Sequence, residues 1–250
     1  MSTTLNCELP RTRDVRHPST LALHRLRPAF AAVAHRRWDI TELGTDNVPA
    51  AGPVVLAANH IGFLDGPLMA IVGPRPVHAL TKRELFAGPL GTFLTFSGQI
   101  PVDRDAVDPL ALKTALRVLR DGGVAGLFPE RTRGSGEVLT AAGGAAYLAM
   151  ASGATVVPVA FLGTRLPGSS STFPPARTRI VITYGDPIEV ARQDWPRRQG
   201  EVRAMTETIR QAIIANVHAA ESATGMALPG PLPDDESESG HSNENSQEAP

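Results

Sequence analysis

An imidazole and a carboxylate stand five residues apart in "VVLAANHIGFLDGP", where His60 and Asp65 follow a short apolar run. On one regular helix, side chains at that spacing diverge by roughly 140°, so the two meet only if the chain turns between them. Gly62 permits such a turn, because glycine accepts backbone angles that other residues avoid. An aspartate holding one ring nitrogen fixes the tautomer and leaves the other nitrogen free to take a proton. Such a pair is a general base with an orienting group. The same residues also fit a plainer role, a strand-end histidine bonded within the core and an aspartate capping a helix.

A nucleophile is not evident. Ser97 and Ser152 lie in small-residue contexts without a G-x-S-x-G elbow, and the single cysteine, Cys7, lies in the N-terminal arm. A substrate that brings its own hydroxyl supplies what is missing. No second histidine or cysteine accompanies His60 at metal-ligand spacing. Two further stretches add cations. "GQIPVDR" carries Asp103 and Arg104, and "FPERTRGSGE" carries Glu130, Arg131, Thr132 and Arg133. Guanidinium groups bind phosphate through paired hydrogen bonds, so arginines gathered at neighbouring strand ends make an anion site. The alternative is solvated loop charge paired with Asp103 and Glu130.

These side chains need a scaffold, and the hydrophobic pattern describes one. Apolar runs at 53–58, 76–81, 99–104, 124–130 and 154–163 read as strands. Between them lie segments with helical spacing, most clearly "DPLALKTALRVLRDGG", with Leu110, Leu112, Leu116 and Leu119 in period and Gly122 and Gly123 as a stop. Strands alternating with helices predict an α/β fold with a mostly parallel central sheet flanked by helices. "TRIVITYGDPIEV" reads as a later strand, and a closing helix spans about 199–218 with Val202, Ile209, Ile213 and Val217 inward. In such sheets ligands bind at the carboxyl ends of the strands, where Asn59 and His60 emerge.

The 250 residues, 42% of them hydrophobic and 20% charged, suffice for one full core. Residues 1–18 are expected as a flexible arm, 19–40 as an amphipathic helical segment, 41–220 as the folded domain and 221–250 as a disordered acidic tail. From Pro229 onward the chain has acids, Ser, Asn and Pro with no Lys or Arg, too little apolar surface to offset ordering. In 19–40, Leu23, Leu26, Phe30 and Val33 fall at helical spacing among arginines, with Pro28 as a break, a pattern suited to an anionic membrane surface. The charge-free stretch 139–164 is long enough to span a bilayer, but its Gly and Ala content and the break at Ser152 and Gly153 favour a buried helix followed by a buried strand. The lone cysteine fits a reducing cytoplasm. The excess of Arg over Lys, with abundant Ala, Gly and Pro, suggests a GC-rich bacterial genome. No extended basic face with interleaved aromatics points to nucleic acid.

Four stretches in order, "NHIGFLD", "GQIPVDR", "FPERTRG" and "VVPVAF", resemble the motifs of the glycerophosphate and lysophosphatidate acyltransferases over roughly residues 47–187. The resemblance implies transfer of a fatty acyl group from acyl-CoA or acyl carrier protein to the hydroxyl of a lysophospholipid acceptor, giving phosphatidate without a further cofactor. His60 would be the base and Asp65 its orienter. Arg104, with Glu130, Thr132 and Arg133, would hold the glycerol phosphate, and Pro158 would shape the acyl-binding wall. Asn59, Gly62, Asp103 and Arg131 complete the expected substrate-binding set. The third motif departs from the family at Arg131, where glycine is usual, and at Gly134, where serine is usual, so a different lipid or glycolipid acceptor is an alternative. A thioester hydrolase and a non-catalytic lipid-binding protein are the rival functions. A peripheral enzyme on the inner face of the cell membrane is the expected setting.

Overall fold

The computed structural model describes residues 9–169 and 173–233. Two helices open the chain, α1 (Leu21–Arg25) and α2 (Arg27–Arg37). There follow β1 (Asp39–Leu43), β2 (Val54–Ala58), α3 (Asp65–Ile71), β3 (Val77–Lys82), α4 (Gly88–Phe96), β4 (Ile100–Val102) and α5 (Pro109–Arg120). The rest comprises β5 (Val124–Leu127), α6 (Gly144–Ser152), β6 (Thr155–Leu162), β7 (Arg179–Tyr184) and α7 (Gln199–Thr224).

The strands form one sheet in the order β1-β7-β6-β2-β5-β3-β4. All pairings are parallel except β6 with β7, so β1 and β7 form a reversed flank on a parallel sheet of the other five. Strands covered on both faces need apolar side chains at every position rather than at alternate ones. The sequence meets that need: VVLAA in β2 and TVVPVAFL in β6 are buried throughout.

One face of the sheet is covered by α5, α6 and α7, whose Leu116, Leu119, Leu148, Met150, Ile209, Ile213 and Val217 build one apolar cluster. On the other face Leu64, Leu68 and Met69, at and within α3, pack with Ala34 of α2 against Leu56, Val157 and Phe161. Helix α5 begins where Asp108 accepts from the backbone N–H groups of Leu110 and Ala111, with Pro109 in the first turn. Its buried stripe is Ala111, Ala115, Leu116, Val118 and Leu119. The expected Leu110 instead faces solvent at 63% exposure, because that position lies off the stripe in the first turn.

The charge-free stretch divides as expected. Helix α6 is built of small residues that pack closely, and Gly153, at φ +73°, closes it in a left-handed conformation that glycine adopts without strain. Among the described residues no helix is long and apolar enough to cross a membrane.

The ends differ from expectation. Residues 9–18 lie on the domain: Thr12 is buried, and its Oγ1 and the carbonyl of Pro10 accept from Arg120 Nη1 at 3.1 and 2.9 Å. The 19–40 segment is two helices meeting at Leu26, with Pro28 in the first turn of the second. Leu23 turns inward, whereas Leu26, Phe30 and Val33 face outward. At the other end α7 runs on to Thr224, past the expected limit of 218, and Met226 and Leu228 pack against the core. Residues 1–8 of the expected arm and 234–250 of the expected tail lie outside the described residues.

Candidate active site

Strand β2 ends at Ala58, and the next residue extends its pairing by a side chain. Asn59, fully buried, accepts from the Phe161 N–H at 2.8 Å and donates to the Phe161 carbonyl at 3.1 Å. That clip to β6 fixes the direction in which residue 60 leaves the sheet. It also occupies the Asn59 amide within the fold, away from any substrate. The His60 backbone is then held from both sides: its N–H donates to Glu130 Oε1 at 3.0 Å, and its carbonyl accepts from Gly134 N at 3.0 Å.

The turn after His60 returns the chain so that Asp65, the first residue of α3, faces the ring. Asp65 Oδ2 accepts from His60 Nδ1 at 2.8 Å, Ile61 N at 2.7 Å and Gly62 N at 2.8 Å, while Oδ1 accepts from the Thr164 hydroxyl. A carboxylate without solvent exposure needs such compensation, and four donors supply it. The carboxylate beside Nδ1 draws the ring proton to that nitrogen and leaves Nε2 to accept one.

Gly62 is required here for a reason other than its torsion angle. A Cβ at this position would lie 2.7 Å from the Thr164 carbonyl oxygen, and its φ is not in the left-handed region. Close approach of two backbones demands the glycine.

Phe128, just past the end of β5, stacks on the His60 ring with centroids 4.1 Å apart and planes at 21°. The imidazole therefore sits between a carboxylate and an aromatic face, 6% exposed. It lines a cavity of about 550 Å³ whose wall is mainly apolar: Phe63, Ile71, Leu80, Leu85 and Leu94 from the domain, with Leu23 and Phe30 from the N-terminal helices. Arg104 and Arg133 line the same cavity as the imidazole.

The remaining expected site residues lie elsewhere. Arg131, at φ +66°, is exposed and donates from Nη1 to the Arg104 carbonyl at 3.2 Å, on the outside of the loop, and Thr132 is exposed beside it. Asp103 closes its own turn, with Oδ1 accepting from Asp105 N and Ala106 N at 2.9 and 3.3 Å. Glu130 faces inward beneath His60. Burial, together with the charges of Asp65 and Glu137, pushes its carboxyl up to about 7 against the opposing backbone hydrogen bonds from His60 and Val138. Pro158 lies on the opposite face of the sheet, beside Gly185 and Asn216 of α7, because side chains alternate along β6 and Phe161 belongs to the other set. It does not reach the cavity. Among the described residues no group of three or more His, Cys, Asp or Glu could hold a metal ion.

Sequence reasoning missed Phe128, Thr164, Arg165 and the share of the cavity wall that α1, α2 and α4 contribute. The first three follow the ends of β5 and β6, so the strand-end rule that singled out His60 could have found them.

The architecture and site can be set beside known proteins. A model of the Acyltransferase family matches residues 39–162. The chain is 30% identical to the 1-acyl-sn-glycerol-3-phosphate acyltransferase of Bacillus subtilis over 187 residues, 74% of this chain and 92% of that one. The chain belongs to this acyltransferase family. It is thus an O-acyltransferase by membership, and the His60–Asp65 turn, Arg104 and Arg133 all fall inside the matched region. Another family member, human 1-acyl-sn-glycerol-3-phosphate acyltransferase beta, is 31% identical over 116 residues, 44% of this chain and 42% of that one. The fold is also that of PlsC, the 1-acyl-sn-glycerophosphate acyltransferase of Thermotoga maritima, with a TM-score of 0.57 over 76% of this chain and 78% of that one at 21% identity.

Proposed function

We propose that this acyltransferase moves a fatty acyl group from acyl-CoA or acyl carrier protein to the hydroxyl of a lysophosphatidate-like acceptor, giving phosphatidate with no further cofactor. The observation that carries the reading is that His60, with Nδ1 held by Asp65, lines an apolar cavity that Arg104 and Arg133 also line. A base, a lipid-compatible wall and an anion site thus share one space. The curated relatives act, by their names, on 1-acyl-sn-glycerol 3-phosphate.

In this mechanism His60 Nε2 takes the acceptor's hydroxyl proton as that oxygen attacks the thioester carbonyl carbon. The C–O bond forms, a tetrahedral intermediate collapses, and the C–S bond breaks. The departing thiolate takes the proton back from Nε2, so the ring ends as it began. Asp65 stabilises the transient imidazolium. General-base assistance is worth about 10² to 10⁴ in rate, and Arg104 and Arg133 add proximity by clamping the phosphate beside the base. The acyl chain gains roughly 0.8 kcal/mol for each methylene it buries in the cavity. Arg131 lies outside the cavity lining, which favours an ordinary phosphoglycerol headgroup over a reshaped acceptor site.

A lysophospholipid acceptor is an amphiphile held at a membrane surface, and an apolar patch suits peripheral contact there. Leu26 at the head of α2, Phe30 and Val33 within it and Leu90, Phe93 and Phe96 on α4 are all more than a third exposed, and the two rows join where Phe30 meets Phe93 edge to face at 5.7 Å. Exposed Arg36 and Arg37 at the end of α2 and Arg25 at the end of α1 lie nearby in the chain, suited to the anionic inner leaflet.

The test is thiol release from a long-chain acyl-CoA, with and without lysophosphatidate, for the native chain and His60→Ala. Release that requires both the acceptor and His60 is the expected result. Release independent of acceptor would replace transfer with hydrolysis, and full activity in His60→Ala would remove the mechanism.

A further inference from the structure

Beside the catalytic pair lies a buried cation that the mechanism above leaves unused. Arg165 is 2% exposed and among the largest fully buried side chains. It follows Thr164, so the turn after β6 sends one residue to the Asp65 carboxylate and the next beneath the catalytic turn. Its Nε donates to the Ile61 carbonyl at 2.8 Å. Nη2 donates to the carbonyls of Gly134, at 3.0 Å, and Gly230, while Nη1 donates to those of Ser169 and Pro231, each at 3.3 Å. A guanidinium offers its donors in a rigid planar fork, so segments bonded to different edges are fixed relative to one another.

The segments it joins are those that carry the site. Ile61 lies between His60 and Asp65; its N–H donates to Asp65 Oδ2 and its carbonyl accepts from Arg165, so the residue is held at both ends. Gly134 follows Arg133 and donates to the His60 carbonyl. Gly230 and Pro231 come from beyond α7, and that C-terminal stretch is built in rather than draped. Leu228 packs against both apolar clusters, its N–H donates to Glu221 Oε1 at 2.9 Å, and its Cδ2 would lie 3.0 Å from a Cβ at Gly136, where Ile61 Cγ2 would lie at 2.3 Å.

We propose that Arg165 is a positioning residue for His60, and that residues 226–231 form a third support of the catalytic turns, locked to them by this guanidinium. The catalytic consequence rests on His60 being the base; the structural linkage does not. Without the guanidinium, the buried carbonyl of Ile61 and the part-buried carbonyls of several other segments lose this donor together, and the turn that aims the imidazole loosens. A displacement of about 1 Å in a catalytic group can cost on the order of a hundredfold in rate.

The experiment compares the full-length chain with Arg165→Met and Arg165→Lys by amide hydrogen exchange and by steady-state kinetics. In Arg165→Met, exchange should accelerate together at Ile61, Gly62, Gly134 and Leu228, while the amides of β2 keep their protection. The kcat should fall by about a hundredfold with the donor KM within about twofold, since orientation is lost and the cavity is not. Arg165→Lys should fall between, because an ammonium cannot reach all the carbonyls, and it carries the same comparison if the methionine variant does not fold. Unchanged exchange at Ile61, Gly62 and Leu228, or a kcat within twofold of native, would overturn the proposal. Coupled acceleration of exchange in a chain whose native form transfers no acyl group to lysophosphatidate would uphold the linkage and overturn the acyl-transfer reading alone.

Discussion

Replacing Glu130 with glutamine should change how stability depends on pH, by an amount that follows from where its carboxyl sits. Glutamine keeps the shape and keeps an oxygen to accept from His60 N, so the exchange removes only a titration. In the fold, burial first, then the charges of Asp65 and Glu137, raise this carboxyl from 4.5 to about 7. Between those values the native state holds a proton that the unfolded state has released. Stability falls with rising pH wherever the native state binds more protons, so Glu130 lowers the stability of the native chain as pH rises from 4.5 to about 7, and its effect is level beyond. A separation of roughly 2.5 units at 1.36 kcal/mol each is about 3 kcal/mol. Urea unfolding of both proteins at a series of pH values from about 4.5 to about 8 gives the difference directly, because other titrating groups cancel. Relative to the native chain, Glu130→Gln should gain about 3 kcal/mol across that interval. Parallel profiles would refute the reasoning, since they would mean that Glu130 ionises in the fold as easily as in the unfolded chain.

Gly62→Ala should lose about 1 to 3 kcal/mol in urea unfolding, because its methyl group would sit 2.7 Å from the Thr164 carbonyl oxygen; no loss would mean that the two backbones part freely. Thr164→Val removes one of four donors to a buried carboxylate and should cost about 1 to 3 kcal/mol by the same measurement, with a lowered kcat. Native stability and turnover in that variant would show that Asp65 does not depend on the hydroxyl. Val33→Asp combined with Phe96→Asp should weaken sedimentation with anionic phospholipid vesicles by tenfold or more while leaving unfolding unchanged, since both side chains are exposed and neither lines the cavity. Undiminished vesicle binding would move the membrane contact elsewhere on the protein.

Much of the parallel sheet was legible because local composition sufficed to mark it. Strands buried on both faces must be continuously apolar, and runs such as VVLAA and TVVPVAFL meet that demand. The pairing of His60 with Asp65 was legible for a similar reason: one short turn decides it, with the glycine that the turn requires inside it. Even there the purpose of Gly62 was not legible, because the obstacle to a side chain is the Thr164 carbonyl, about a hundred residues away in the chain.

What the order of residues could not announce is which strand ends become neighbours and which face of a strand turns toward the site. Sheet order places β6 beside β2, and from that adjacency come the Asn59 clip, the Thr164 hydroxyl on Asp65 and Arg165 beneath Ile61. Pro158 was misplaced because alternation along a uniformly apolar strand leaves no mark of which side faces which layer. Glu130 and Arg133 are three residues apart, yet one lies under the His60 backbone and the other lines the cavity. By itself the sequence determined the α/β class and marked His60 with Asp65, whose side chains meet, and Arg104 with Arg133, which line one cavity, because these depend on side-chain chemistry and local pattern. Only the tertiary structure decided the cavity wall, the contact of Gly230 and Pro231 with Arg165 and the burial that raises the Glu130 carboxyl, because each depends on distances between parts of the chain that pattern alone does not relate.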